Sequence, residues 1–405
     1  MSSSLENPSR PANKERWWEL VSALQADEVP FHSPAYVFDL PHLRRVTLES
    51  RQILAEMGIE LLYTLKAQAA KDPLRVLAEI VDGLSASSPF EARYAREILG
   101  NDGSLHYTAP ILSDSLLSSS NEIDFLSFNS PSQIERYSHC LTSTNLGLRV
   151  NPRHSFLLDD RYDPCCRNSK LGIPVDVLTP PFLKSLGKGI TGFHFHNNCD
   201  STDLGQIVKT LLTIQSRSPW LFEISRWINL GGGYRLPGAS GQTQLGDLLD
   251  EYRSVFNIER FFMEPGAGLI ESAGSLFCTV SDIVTSSSIP IAVLDTTVNH
   301  LPEAFEYGIT YPLLSEVPLG ESYLLAGCTC LAGDVFGIYN FEDELRLGDV
   351  LCFLETGAYS LVKANYFNGV NLPSIYIAHE DGQIELRKKY DYDDWLRRYK
   401  HLTSG

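Results

Sequence analysis

The residues that could do chemistry in this chain each follow a short apolar run. Lys66 closes LLYTLKAQA; a lysine directly after an apolar strand loses part of its hydration, which lowers its pKa and makes it an amine nucleophile for an aldehyde. The same position also suits a solvated lysine where strand meets loop. Gly231, Gly232 and Gly233 follow WINL, and three residues without side chains let backbone N–H groups surround an anion such as a phosphate, though a tight turn would use them equally well. Glu264, in FFMEPG, is placed to hold a ring nitrogen protonated, and a carboxylate there needs a partner. His196, in HFHNN, could stack on a ring or donate to phosphate, or be a satisfied core histidine. Cys330, in GCTCLAGDVFG, is a thiol between glycines that could donate a proton or simply pack as a small apolar group, and Asp334 lies in the same segment. Tyr359, in TGAYSLVK, offers a hydroxyl with the same two readings.

The elements that must carry these residues follow from a rhythm. From ELLYTLK at Glu60 to FFMEPGAG at Phe261, eight strand-like runs alternate with stretches of helical spacing, and up to Leu146 they recur about every twenty residues, as repeated βα units require. Eight such strands close a (β/α)8 TIM-like barrel, with an open doubly wound sheet as the alternative. In a parallel barrel, functional groups collect where strands end, and Lys66, Arg149 with Asn151, His194 to Asn198, the glycine triplet and Glu264 all stand there. After about Gly268 the runs become closely spaced and strand-like, which predicts a C-terminal all-β domain. The expected divisions are residues 1–34 as an N-terminal arm and edge of the β domain, 35–268 as the barrel, and 269–405 as the β domain. The first run, AYVFDL from Ala35, is left over from the eight and could pair into the β sheet. An amine, a phosphate nest, an acid for a pyridinium and a spare proton donor are together what pyridoxal phosphate catalysis requires.

Composition narrows the partners. The 405 residues are enough for two domains, and a formal net charge of -17 repels phosphate backbones and anionic lipids, so nucleic acid and membrane are poor partners and a cationic small molecule is a better one. The opening MSSSLENPSRPANKERWW is polar, reads as a mobile arm to about Arg16 and lacks a secretory h-region, and no run reaches the ~20 apolar residues of a spanning helix, so a cytoplasmic protein is expected. The eight cysteines form no CxxC pair and have no histidine at zinc-ligand spacing; reduced thiols and no metal are expected.

The motifs YTLKA, HFHNNCD, NLGGGY, EPG, CTCLAGDVFG, GAYSLVK and FNGVNLPSI, in this order from about Ala35 to Ile375, resemble those of the fold type III pyridoxal phosphate decarboxylases, the alanine racemase/ornithine decarboxylase type, and most of all the carboxynorspermidine/carboxyspermidine decarboxylases. The resemblance implies that Lys66 bonds the cofactor aldehyde, that Gly231 to Gly233 and Tyr359 hold its phosphate, that His196 stacks on the ring with Arg149 nearby, and that Glu264 binds the ring nitrogen. It implies further that Cys330 reaches the neighbouring subunit's site and returns a proton to carbon, making the enzyme a homodimer with sites at the interface. Three departures concern substrate. The family's EPGEA reads EPGAG, with Ala267 where a glutamate contacts the polyamine, and the segment supplying another acid reads NHLPE, so Glu303 is expected to take that place. HNNCE ends instead in Asp200. Glu303, Asp334 and Asp200 are therefore the expected contacts to a cationic substrate. A same-fold decarboxylase of siderophore or other specialised metabolism, a silent regulatory homologue and a racemase are the alternatives; a protonated ring favours decarboxylation over racemisation.

Overall fold

Fourteen to 400 are the residues that the computed structural model describes, apart from 27, 29, 115–121, 142–143, 187–188 and 286–287. The leftover run forms β1 (Ala35–Asp39), and its pairing decides where it belongs. It lies antiparallel to β11 (Gly274–Val284) and parallel to β16 (Ser374–Ala378), so it is a central strand of the second sheet rather than the start of the barrel. The chain accordingly divides into one unit of residues 44–269 and another of 1–43 with 270–405, which moves the expected barrel start from 35 to 44.

In the first unit the eight expected runs become β2 (Ile59–Thr64), β3 (Gly83–Ala86), β4 (Ser104–Thr108), β5 (Phe125–Phe128), β6 (Asn145–Asn151), β8 (Ile190–Phe195), β9 (Trp227–Asn229) and β10 (Arg260–Met263). They pair in parallel in that order, and β10 pairs with β2, so the sheet closes into a barrel. A two-residue strand, β7 (Ile173–Pro174), adds to the end of β6. Helices such as Pro89–Leu99 connect the strands; Ser88 accepts the Glu91 N–H and Pro89 takes the first turn, where its missing N–H costs nothing.

Register fixes what faces inward. Gly147, Gly192 and Trp227 are aligned across β6, β8 and β9, and a Cβ at either glycine would lie within 2.5 Å of the Trp227 ring. The indole fills the space they leave and packs with Leu62, Phe125 and Phe262 in a buried cluster, so this face is the barrel interior. Two residues further along each strand, on the same face, Arg149, His194 and Asn229 are aligned in turn. An apolar plug therefore lies beneath a polar layer, at the end where the strands stop.

The second unit is a mixed sheet in the order β14 (Val335–Phe341), β13 (Glu321–Ala326), β12 (Ile291–Leu294), β11, β1, β16, β17 (Ile384–Lys388), with β15 (Val350–Phe353) also on β11. The arm expected over residues 1–16 lies, as far as residue 13, outside the described residues. From Lys14 to Gln25 the chain is a helix whose Trp17, Leu20 and Val21 are buried against Phe277 and Tyr376. Among the described residues no helix is long and apolar enough to cross a membrane.

Candidate active site

Lys66 sits two residues beyond the end of β2, reachable by solvent although protein atoms surround it. Loss of hydration pushes its ammonium pKa down; Glu264 opposes that shift, Arg149 reinforces it, and Cys199 and Glu91 add smaller opposing contributions. One electrostatic neighbourhood thus gathers residues from β2, β6 and β10 and from the helix after β3. Glu91 was not foreseen as part of it. SPFE signals a helix N-terminus, and Glu91 does close a capping arrangement by accepting the Ser87 N–H at 2.7 Å, so its local role hid its nearness to Lys66.

Glu264 directly follows β10 and is 5% exposed. The partner it required is Asn229, whose Nδ2 donates to Oε2 at 3.2 Å. His194 Nε2 lies 3.6 Å from the other oxygen, too far for a hydrogen bond. Burial, then the nearby Arg149, His196 and Lys66, hold the His194 imidazole far below its ordinary pKa, so it is neutral, and neither ring nitrogen has a partner. Arg149 is buried within range of the Glu264 charge. His196 is also kept neutral by burial and by Lys66 and Arg149. Its Nδ1 accepts the Gly232 N–H at 3.0 Å, which puts the imidazole proton on Nε2.

The glycine turn differs from the expectation in one respect. Gly231 N–H donates to Asn229 Oδ1 at 2.9 Å and Gly232 N–H to His196, so two of the three expected phosphate donors are already used. Among the described residues the Gly233 N–H has no protein partner. The absence of side chains is still required: a Cβ on Gly231, Gly232 or Gly233 would lie within 2.3 Å of the carbonyl oxygen of Phe195, Glu264 or Asn198 respectively.

The expected substrate acids fare differently. Asp334 is 3% exposed and accepts from Val298 N–H at 2.8 Å, Thr329 N–H at 3.0 Å and the Thr329 hydroxyl. Its carboxylate is held by donors of the loop that joins β13 to β14 and of the segment after β12, so it shapes that loop. Asp200 is exposed but already paired with Arg235. Glu303 lies 3.3 Å from Lys363, which also binds Glu306; burial raises the Glu303 pKa and Lys363 opposes the shift. Cys330 is exposed on the β13–β14 loop, its N–H held by Asn368 Oδ1 at 2.8 Å. Tyr359 is half-buried with a left-handed φ of 53°. Cys330, Glu303, Asp334 and Tyr359 all belong to the sheet unit, Lys66, Arg149, His196, Glu264 and Asp200 to the barrel.

The barrel residues fit a pyridine that carries an aldehyde and a phosphate. A reachable amine of lowered pKa, a partnerless backbone N–H in a turn too tight for side chains, and a buried carboxylate beside two orphaned imidazole nitrogens leave the polar valences such a group would satisfy. No group of three or more His, Cys, Asp or Glu side chains among the described residues could hold a metal ion.

Residues 35–357 match the family described as pyridoxal-dependent decarboxylase, C-terminal sheet domain. The chain is 32% identical to carboxyaminopropylagmatine decarboxylase of Synechocystis sp., over 90% of this chain and 95% of that protein. It is 28% identical to carboxynorspermidine/carboxyspermidine decarboxylase of Campylobacter jejuni, over 90% and 98%. The crystal structure of carboxynorspermidine decarboxylase from Campylobacter jejuni, complexed with norspermidine, superposes with a TM-score of 0.81 at 25% identity and covers 91% of this chain and all of that one.

Proposed function

The chain belongs to the pyridoxal-dependent decarboxylases, of fold type III, and from that premise we propose that it removes the Cα carboxylate of a carboxylated polyamine: carboxynorspermidine, carboxyspermidine or carboxyaminopropylagmatine. The family uses pyridoxal 5'-phosphate and acts on amino acids related to diamines and polyamines. What carries the finer reading is that relatives named for carboxylated polyamines align over 90% of this chain.

When bound, pyridoxal phosphate supplies an electron sink for the charge left on Cα as carbon dioxide departs. The chain's residues divide the remaining work. Lys66 holds the aldehyde carbon and, with its pKa lowered, is an unprotonated nucleophile over a wider pH range than a free lysine. The Gly233 N–H would take the phosphate, His196 the ring face, and Glu264 the ring nitrogen. Arg149 adds positive charge beside Glu264. Cys330 Sγ, on a loop folded by Asp334 and Asn368, returns a proton to Cα. Glu303, Lys363 and Glu306 together carry one net negative charge and leave a carboxylate to share with a cationic tail. Cys330 serves the site of a second copy, so the working enzyme is a homodimer.

Ala267 favours a second reading, a same-fold decarboxylase of specialised metabolism, because the expected glutamate is missing from EPGAG and room is made for a less cationic group. A panel of carboxynorspermidine, carboxyspermidine, carboxyaminopropylagmatine, diaminopimelate, lysine and ornithine, with products identified by mass, separates the readings. The proposal expects kcat/KM for one carboxylated polyamine to exceed that for the last three by about 100-fold, the scale of a few kcal/mol of differential binding. Preference for diaminopimelate or lysine, or turnover of none, contradicts it.

A further inference from the structure

Asn229 lies between the two ends of the site described above and is one of the most enclosed polar residues there, 4% exposed. Its Oδ1 accepts the Gly231 N–H at 2.9 Å while its Nδ2 donates to Glu264 Oε2 at 3.2 Å. A backbone N–H only donates, so the amide oxygen must face Gly231, and the NH2 group is thereby turned towards the carboxylate. The orientation is fixed by chemistry and cannot flip. Among the described residues, Asn229 is the one side chain that hydrogen-bonds Glu264; His194 Nε2, at 3.6 Å, stands off from the other oxygen.

We propose that Asn229 is a positioning residue: it ties the glycine turn to Glu264 and aims that carboxylate, and so sets how firmly the acid holds the cofactor's ring nitrogen. The inference rests on the reading that Glu264 takes that nitrogen. A carboxylate without this hydrogen bond is free to turn out of line with the ring nitrogen. A misaligned acid would hold the ring proton less firmly and leave the electron sink weaker. Aspartate at 229 could keep the acceptor for Gly231 but not the donor for Glu264, which makes the amide, rather than its shape, the functional feature.

The test loads the full-length protein with pyridoxal phosphate carrying 15N in the ring, whose chemical shift separates protonated from unprotonated nitrogen. Asn229→Leu and Asn229→Ala are compared with wild type and with Glu264→Gln as the reference for a lost charge. In wild type the resonance is expected in the protonated range; in either Asn229 variant it moves towards the Glu264→Gln position, and kcat falls about 10- to 100-fold with KM little changed, the factor for one hydrogen bond to a charged group. A variant that retains the cofactor with an unshifted resonance overturns the proposal, whatever its turnover. Loss of cofactor from both variants while Glu264→Gln retains it also overturns it, because Asn229 would then serve only the turn. A wild-type protein that binds cofactor with an unprotonated ring removes the Glu264 reading and this inference together, whereas failure on the substrate panel leaves the ring-nitrogen result standing.

Discussion

Replacing Gly233 by alanine tests whether the glycine triplet is demanded by the site or is merely a flexible turn. Gly233 has φ +88°, a left-handed conformation that costs an L-residue roughly 1–2 kcal/mol. A Cβ there would also lie 2.3 Å from the Asn198 carbonyl oxygen and 2.7 Å from its carbon. Both are backbone atoms, so no side chain can swing aside, and such overpacking costs about 1–3 kcal/mol more. The total is roughly 2–5 kcal/mol. Gly308 supplies the control: its φ is +72° but nothing lies within 4 Å of its Cβ position, so Gly308→Ala carries the first cost alone. Urea unfolding of the apoproteins should put Gly233→Ala at a midpoint lower by about 1 M or more, clearly below Gly308→Ala, given slopes of about 1–3 kcal/mol per M. Displacing the partnerless Gly233 N–H should also weaken pyridoxal phosphate binding about 10- to 100-fold, the worth of one hydrogen bond to a charged group. If the two variants lose equal stability and Gly233→Ala keeps wild-type cofactor affinity, the steric and phosphate arguments are both wrong.

Further outcomes follow from the same geometry. Because the folded-state pKa of Lys66 is below its unfolded value of 10.5, the unfolded chain binds more protons in the window between the two, and apoprotein stability contributed by this group rises with pH there; Lys66→Met should remove that slope from a pH series of urea melts. Asp334→Ala should destabilise the sheet unit by about 3 kcal/mol or more, since the buried Val298 and half-buried Thr329 donors lose their acceptor, and protease cleavage within 327–334 should rise; a changed KM with unchanged stability would instead support Asp334 as a substrate contact. Mixing inactive Lys66→Ala and Cys330→Ala proteins should recover about a quarter of wild-type activity through heterodimers with one intact site, whereas no recovery argues against sites shared between subunits.

Strand positions could be read from sequence because each barrel strand is a short apolar run at βα spacing, and the polar residues that end those runs did converge: Lys66, Arg149, His196 and Glu264 share one buried neighbourhood. β7 could not be read, since two residues carry no period. The helix Lys14–Gln25 could have been, because Trp17, Leu20, Val21 and Leu24 repeat at helical spacing; the polar residues before them obscured it. The fate of β1 depended on pairing with strands more than 200 residues away, which no local pattern encodes. The backbone partners of Asp334 were not legible, because an aspartate beside glycines in a loop has the same sequence whether its carboxylate points at solvent or at backbone donors. Asn229 stood in plain view in WINLGGG, but its value depends on a carboxylate 35 residues later.

Reducing the holoenzyme with borohydride fixes the cofactor to whichever amine holds it, and peptide mass mapping then identifies that residue. The account predicts a pyridoxyl group on Lys66 and no stable cofactor in Lys66→Ala. A modification on any other lysine, or an unmodified protein that still decarboxylates, would contradict it.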